Sequence, residues 1–150
     1  MAYTLQAIIA KNGVFDSSPV EGAVLVQLVQ GFEMLPMTSE FRRIHGIPFL
    51  PLTDEGSEDL PVPINSFCTK LSIGQQIAYV EAEFFGGDGV QACAVFKNGK
   101  LETNVVIGDA AINDALVALG VDKQSFHDEF DALGLNQHRD TDDWTEEKKV

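Results

Sequence analysis

Apolar and polar positions along "YTLQAIIA" (residues 3–10) alternate with a β-like period of two. The following "KNGVFDSSPVEG" is loop, with Asn12-Gly13 and Ser18-Pro19 as turn signals. "AVLVQLVQ" (residues 23–30) is rich in β-branched side chains and predicts a buried strand. "GFEMLPMT" adds a short strand, and Pro36, which has no N–H for a neighbour, places it at an edge. "TSEFRRIHG" predicts a short helix capped by Thr38 or Ser39 and ended by Gly46. Ile64, Phe67, Cys68 and Leu71 then recur at i, i+3, i+4 and i+7, one apolar helix face, with Gly74 as its stop.

The stretch "YVEAEFFGGDGVQACAVFKNGK" (residues 79–100) holds two hairpin turns. A three-residue loop, Gly87-Asp88-Gly89 with Gly89 left-handed, sets Phe84 opposite Ala92, Ala82 opposite Ala94 and Val80 opposite Phe96. One face is then apolar. The other collects Tyr79, Glu81, Glu83, Phe85, Gln91, Cys93, Val95 and Lys97. A two- or four-residue loop would put both glutamates among Ala92, Ala94 and Phe96, so burial selects the three-residue loop. Asn98-Gly99 is the strongest short hairpin signal, and it places Leu101 opposite Phe96, Thr103 opposite Ala94 and Val105 opposite Ala92. The result is a three-stranded meander over about residues 76–107.

Two helices follow. Asp109 caps "AAINDALVALG", whose stripe is Ile112, Ala115, Leu116 and Leu119. Asp122 caps "KQSFHDEFDALG", which presents Phe126, Phe130 and Leu133 and closes at Gly134. The polar tail "NQHRDTDDWTEEKKV" reads as a strap, with Trp144 packed on the domain and Arg139 paired with a carboxylate. The expectation is one α+β domain over residues 1–150: a mainly antiparallel sheet with helices packed on its apolar face.

Charge changes the picture more than size does. The chain has 150 residues, a usual single-domain length, but 23 acidic residues against 10 basic ones give a net charge of −13. That balance opposes direct binding to nucleic acid or anionic membranes and suits a basic partner, a cationic ligand or plain solubility. Acids concentrate in "IPFLPLTDEGSEDLPVP" (residues 47–63), which carries four prolines, Asp54, Glu55, Glu58 and Asp59, and no base. It reads as an extended surface loop of a length that is usually functional. The start lacks the basic and apolar regions of a signal peptide, and no apolar run approaches ~18 residues. Cys68 and Cys93 read as buried thiols of a reduced, cytoplasmic protein, with a disulfide between them left open.

Candidate chemistry is sparse. GGDG joins two strands rather than a strand and a helix N-terminus, so it is a hairpin and not a phosphate cradle. Glu81 and Glu83 share a strand face about 7 Å apart, a spacing that suits acid–base work or a shared metal but lacks a third ligand. Their company, Tyr79, Phe85 and Val95, fits a surface that another molecule covers. His127 with Asp128 and Asp131 reads as exposed helix surface. His138 with Asp140 and Asp142 reads as tail strap, with metal binding as the alternative. No nucleophile–base triad is present, and Cys93 sits among apolar neighbours that raise a thiol pKa.

"AYVEAEFFGGDGVQACAVF" (residues 78–96) and "DEFDALGLNQHRDTDDW" (residues 128–144) resemble a group of small acidic bacterial proteins of unknown function. Those proteins share a YVEAEFFGG…Q…AV hairpin and an EFD…GL…HR…T…DW ending. The resemblance implies a compact intracellular bacterial protein and assigns no catalytic residue. The functional expectation is a non-enzymatic protein-binding module without a cofactor, such as an immunity protein or antitoxin that neutralises a basic enzyme. Asp54, Glu55, Glu58, Asp59, Tyr79, Glu81 and Glu83 would meet the partner. Two alternatives stand beside it: a metal-dependent or acid–base enzyme using the clustered carboxylates, and a small-ligand sensor with a pocket between the sheet and the proline-rich loop.

Overall fold

The computed structural model describes residues 2–17, 20–85, 88–102 and 104–148. Ser18-Pro19, Gly87 and Thr103, each given a role above, lie outside them. β1 (Tyr3–Lys11) has six consecutive buried residues. Leu5, Ala7 and Ile9 point into one core and Ile8 and Ala10 into another, so the strand is covered on both faces. It pairs antiparallel with β3 (Phe32–Pro36) on one side and β4 (Gln76–Phe85) on the other. With β2 (Val26–Gln27), β5 (Asp88–Lys97), β6 (Lys100–Leu101) and β7 (Val106–Ile107), the described residues form one seven-stranded antiparallel sheet. Its order is β2-β3-β1-β4-β5-β6, with β7 also on β5. The fold is α+β.

Two strand expectations need correction. β3 is interior, not an edge: β2 flanks it, pairing Val26 with Met34 and Gln27 with Glu33. Pro36 is tolerated because it lies beyond those two pairs and faces only Ala7. Of residues 23–30 only Val26 and Gln27 are strand, because Gln30 (φ 61°) and Gly31 (φ 78°) reverse the chain.

Helices cover both faces, not one. α1 (Ser39–His45) is capped by Thr38, whose side chain accepts from the Phe41 N–H, and ends at left-handed Gly46. α2 (Val62–Leu71) begins after Pro61 and buries Ile64, Cys68 and Leu71. With residues 47–55 these two helices close one face. α3 (Ala111–Leu119), α4 (Glu129–Leu133) and the 3₁₀ segment Thr141–Lys148 close the other, with Trp144 buried among them. Asp109 does not cap α3; Gln91 of β5 does so from outside, its Oε1 accepting from the Ile112 N–H at 3.0 Å. Asp128 rather than Asp122 caps α4, which shortens that helix to five residues. Cys68 and Cys93 are free thiols in the two separate cores.

The β4–β5 register differs from the expected one. Phe85 pairs with Asp88 and Phe84 with Gly89. Glu81 therefore faces Ala92, and Glu83 faces Val90, on the same side as Ala94 and Phe96. Gly89 is a strand residue beneath an aromatic ring: an added Cβ would sit 1.6 Å from the Phe84 ring. The Asn98-Gly99 turn sets Leu101 opposite Phe96 as expected. Pairing with β5 then resumes with Val106 opposite Cys93 and Ile107 opposite Ala92, two residues later than Val105 opposite Ala92.

Candidate functional site

Strand pairing gathers the polar groups. Gln6 lies opposite Glu81, and Ile8 opposite Tyr79, on the face under residues 47–55. Gln6, Tyr79 and Glu81 are all at most 1% exposed. Gln6 Nε2 donates to the Pro48 carbonyl (3.0 Å) and to the Tyr79 hydroxyl (2.9 Å), and its Oε1 accepts from the Leu50 N–H (3.2 Å). The Tyr79 hydroxyl donates in turn to Glu81 Oε2 at 2.5 Å. Glu81 Oε1 accepts from the Leu52 N–H (3.1 Å), the Thr53 N–H (3.0 Å) and the Thr53 hydroxyl (3.0 Å). The relay Gln6–Tyr79–Glu81 thus stitches the loop to the sheet at Pro48, Leu50, Leu52 and Thr53. A buried carboxylate is tolerable only when donors surround it, and these loop groups are the donors.

The loop takes its shape from these bonds. The expected extended segment is a compact set of turns at its start, with Leu50 and Leu52 in the interior. Leu50 is left-handed (φ 41°), unusual for a non-glycine residue, and its carbonyl accepts from the N–H groups of both Asp54 and Glu55. The guanidinium of Arg42 lies over the Phe49 ring at 4.8 Å. Asp54, Glu55, Glu58 and Asp59 are exposed on the outer side of this folded-back root.

Charge is crowded along β4. Burial raises the pKa of Glu81, while its hydrogen bonds from Tyr79, Thr53 and Leu52 partly oppose the rise. Tyr79 is pushed well up, first by burial and then by the neighbouring Glu81 charge. The Glu83 pKa is also raised, by partial burial first, then by the charge of Asp54, a hydrogen bond with Asp54, and the charge of Glu81. Asp54 and Glu83 thus form a repelling carboxylate pair at the exposed end of the row.

The sequence-predicted residues therefore divide. Tyr79 and Glu81 are inside the molecule and not on an outer face, because residues 47–55 cover their face of the sheet. Asp54, Glu55, Glu58, Asp59 and the half-buried Glu83 remain at the surface. Beside Glu83 the sheet is uncovered, with Phe85, Val90 and Ile107 at 58%, 38% and 46% exposure. Val90 pairs directly with Glu83. Gln6 and Thr53 were not singled out from sequence. The available signal for Gln6 was a lone amide within the otherwise apolar core of "LQAIIA".

The tail residues are strapped, each to its own partner. Asp142 accepts from the Ser39 N–H (2.9 Å) and hydroxyl (2.8 Å), tying the tail to α1. Asp140 accepts from the Thr4 hydroxyl, and the His138 ring meets Trp144 edge-on at 4.7 Å. Arg139 contributes its carbonyl, which accepts from the Thr4 N–H, and among the described residues its side chain shows no carboxylate partner. No group of three or more His, Cys, Asp or Glu side chains among the described residues converges as metal ligands would. The space between sheet and loop, where a ligand pocket was an alternative, is occupied by Leu50, Leu52 and the Gln6–Tyr79–Glu81 relay. No helix among the described residues is long and apolar enough to cross a membrane.

No family model, curated protein or solved structure matches this chain.

Proposed function

We propose that this chain is a non-enzymatic protein-binding module whose acidic loop engages a partner with a basic surface, in the manner of an immunity protein or antitoxin. The observation that carries the reading is the fully buried Glu81 carboxylate, spent on holding the root of the loop that displays Asp54, Glu55, Glu58 and Asp59. A loop ordered in advance loses less entropy on association, and clustered acids speed encounter with a cationic surface. The repulsion between Asp54 and Glu83 supports the same reading, since a cation placed between them would relieve it. Phe85, Val90 and Ile107 beside Glu83 supply an apolar anchor with a charged rim, the usual anatomy of a specific interface.

The test is affinity capture from the native host at low and high salt. The wild-type chain should retain a basic protein that salt releases. The variant Asp54→Asn/Glu55→Gln/Glu58→Gln/Asp59→Asn, with an unchanged circular dichroism spectrum, should lose it. Failure to capture any salt-sensitive basic protein, or equal capture by the variant, defeats the reading.

A further inference from the structure

The opposite face of the sheet carries a second feature, remote from the acidic loop and independent of the partner reading. β6 ends at Leu101, and beyond it the Glu102 N–H still donates to the Val95 carbonyl of β5 (2.7 Å), while Val106 pairs with Cys93. Facing this edge, α3 presents small side chains, Ala115 and Ala118, where its inner turns present Ile112, Leu116 and Leu119. The small residues leave a cleft of about 430 Å³ between the sheet edge and the helix.

We propose that this cleft binds an aliphatic ammonium group, a cation carried on an apolar stem. Cys93, Val95, Val106 and the two alanines give it an apolar lining of the kind that methylene groups cover. Two carboxylates flank it, Glu102 from the strand side and Asp114 from the helix side, and no basic side chain lines it. Glu102 is held in place by Gln76 Nε2, which donates to its Oε2 at 3.0 Å. The Asp114 charge reaches the floor of the cleft: the Cys93 thiol is pushed up to about 11 by burial first and by Asp114 second. The floor therefore stays neutral at physiological pH, and the negative potential is left for a ligand. A cation drawn to Glu102 or Asp114, with its stem on Val95 and Ala115, uses both the charged rim and the apolar lining. A neutral stem leaves both carboxylates unanswered, and an anion is repelled by both.

The same chemistry is offered by a lysine side chain of a polypeptide and by a free alkylamine. Both are used as probes in an NMR titration of the uniformly ¹⁵N-labelled chain: Nα-acetyl-lysine N-methylamide and pentylamine, with Nα-acetyl-norleucine N-methylamide as the neutral control. The ammonium probes should shift the amide resonances of Cys93, Val95, Val106 and Ala115, and the neutral control should bind at least about fivefold more weakly than the lysine probe. Tighter binding of the lysine probe than of pentylamine assigns the site to a polypeptide side chain, and the reverse order to a small amine. Ala118→Leu, a helix-compatible substitution that fills the cleft, should abolish the shifts, and Asp114→Asn should weaken binding. Shifts confined to other residues, equal affinity for the neutral control, or unaltered binding by both variants overturns the site. If Ala118→Leu does not fold, Asp114→Asn decides alone. Because the probes are defined compounds, these outcomes do not depend on whether a basic partner is ever captured.

Discussion

Glu81 is the residue on which the loop hangs. Its carboxylate is held by four donors, the Leu52 and Thr53 N–H groups and the Thr53 and Tyr79 hydroxyls, and Tyr79 is in turn oriented by Gln6. Removing the Tyr79 hydroxyl leaves Gln6 Nε2 without one acceptor and a buried charge without one donor. Tyr79→Phe should therefore lower the unfolding free energy by about 1–3 kcal/mol, read as a lower urea midpoint at constant slope. Glu81→Ala strips the acceptor from two loop N–H groups and from the Thr53 and Tyr79 hydroxyls. It should cost more than Tyr79→Phe and speed hydrogen exchange at Leu52 and Thr53 in particular. Leu50 belongs to the same device. Its left-handed backbone costs on the order of 1–3 kcal/mol, and burial of its side chain together with the Gln6 bond keeps it there. Apart from the lone amide of Gln6 in an apolar run, none of these roles has a local signature in the sequence, because each depends on residues brought together from β1, β4 and the loop.

At the scale of elements, the local signals were readable and the long-range ones were not. Thr38 and Gly46 bound α1, Gly120 and Gly134 end α3 and α4, and Asn98-Gly99 turns the chain, as the residues themselves dictate. The β4–β5 register failed for an identifiable reason. Register follows from which face is buried, and a single buried face favours the three-residue loop; here residues 47–55 bury the second face, Glu81 included. The six buried residues of β1 carried the hint that the sheet is covered on both sides. The observed register gives Gly89 a role that a turn would not. Gly89→Ala should drive its methyl into the Phe84 ring, which also packs on Tyr3 at 6.0 Å. A loss of about 1–3 kcal/mol is expected in thermal or urea unfolding. A left-handed turn glycine would instead predict rescue by asparagine, and Gly89→Asn should be no better than alanine. Within the loop, Asp54→Asn should raise the melting temperature, since it relieves the repulsion on Glu83. An acid whose removal stabilises the fold is one kept for something other than folding.

For the whole molecule, the charge of −13 and the raised pKa values of Glu81 and Glu83 act in one direction. A carboxyl whose folded pKa lies above its unfolded value binds protons more readily when folded. Its contribution is intact below the unfolded pKa, near 4.5, and is lost as pH rises from there through the folded value. Global self-repulsion also grows as the carboxylates ionise. Stability should therefore decline from mildly acidic to neutral pH. The two sources separate by salt and by substitution. Added salt screens exposed charges within about a Debye length and should flatten the global part of the slope at neutral pH. It should leave most of the Glu81 part, which lies in the interior. Glu83→Gln should remove the Asp54-linked part without touching the loop's anchor. Melting temperatures across this pH range at low and high salt, for the wild type and for Glu83→Gln, check the prediction. A profile that rises towards neutral pH would mean that the hydrogen bonds to Glu81 outweigh its burial. The anchored loop would then be a net source of stability rather than a cost accepted for presenting its acids.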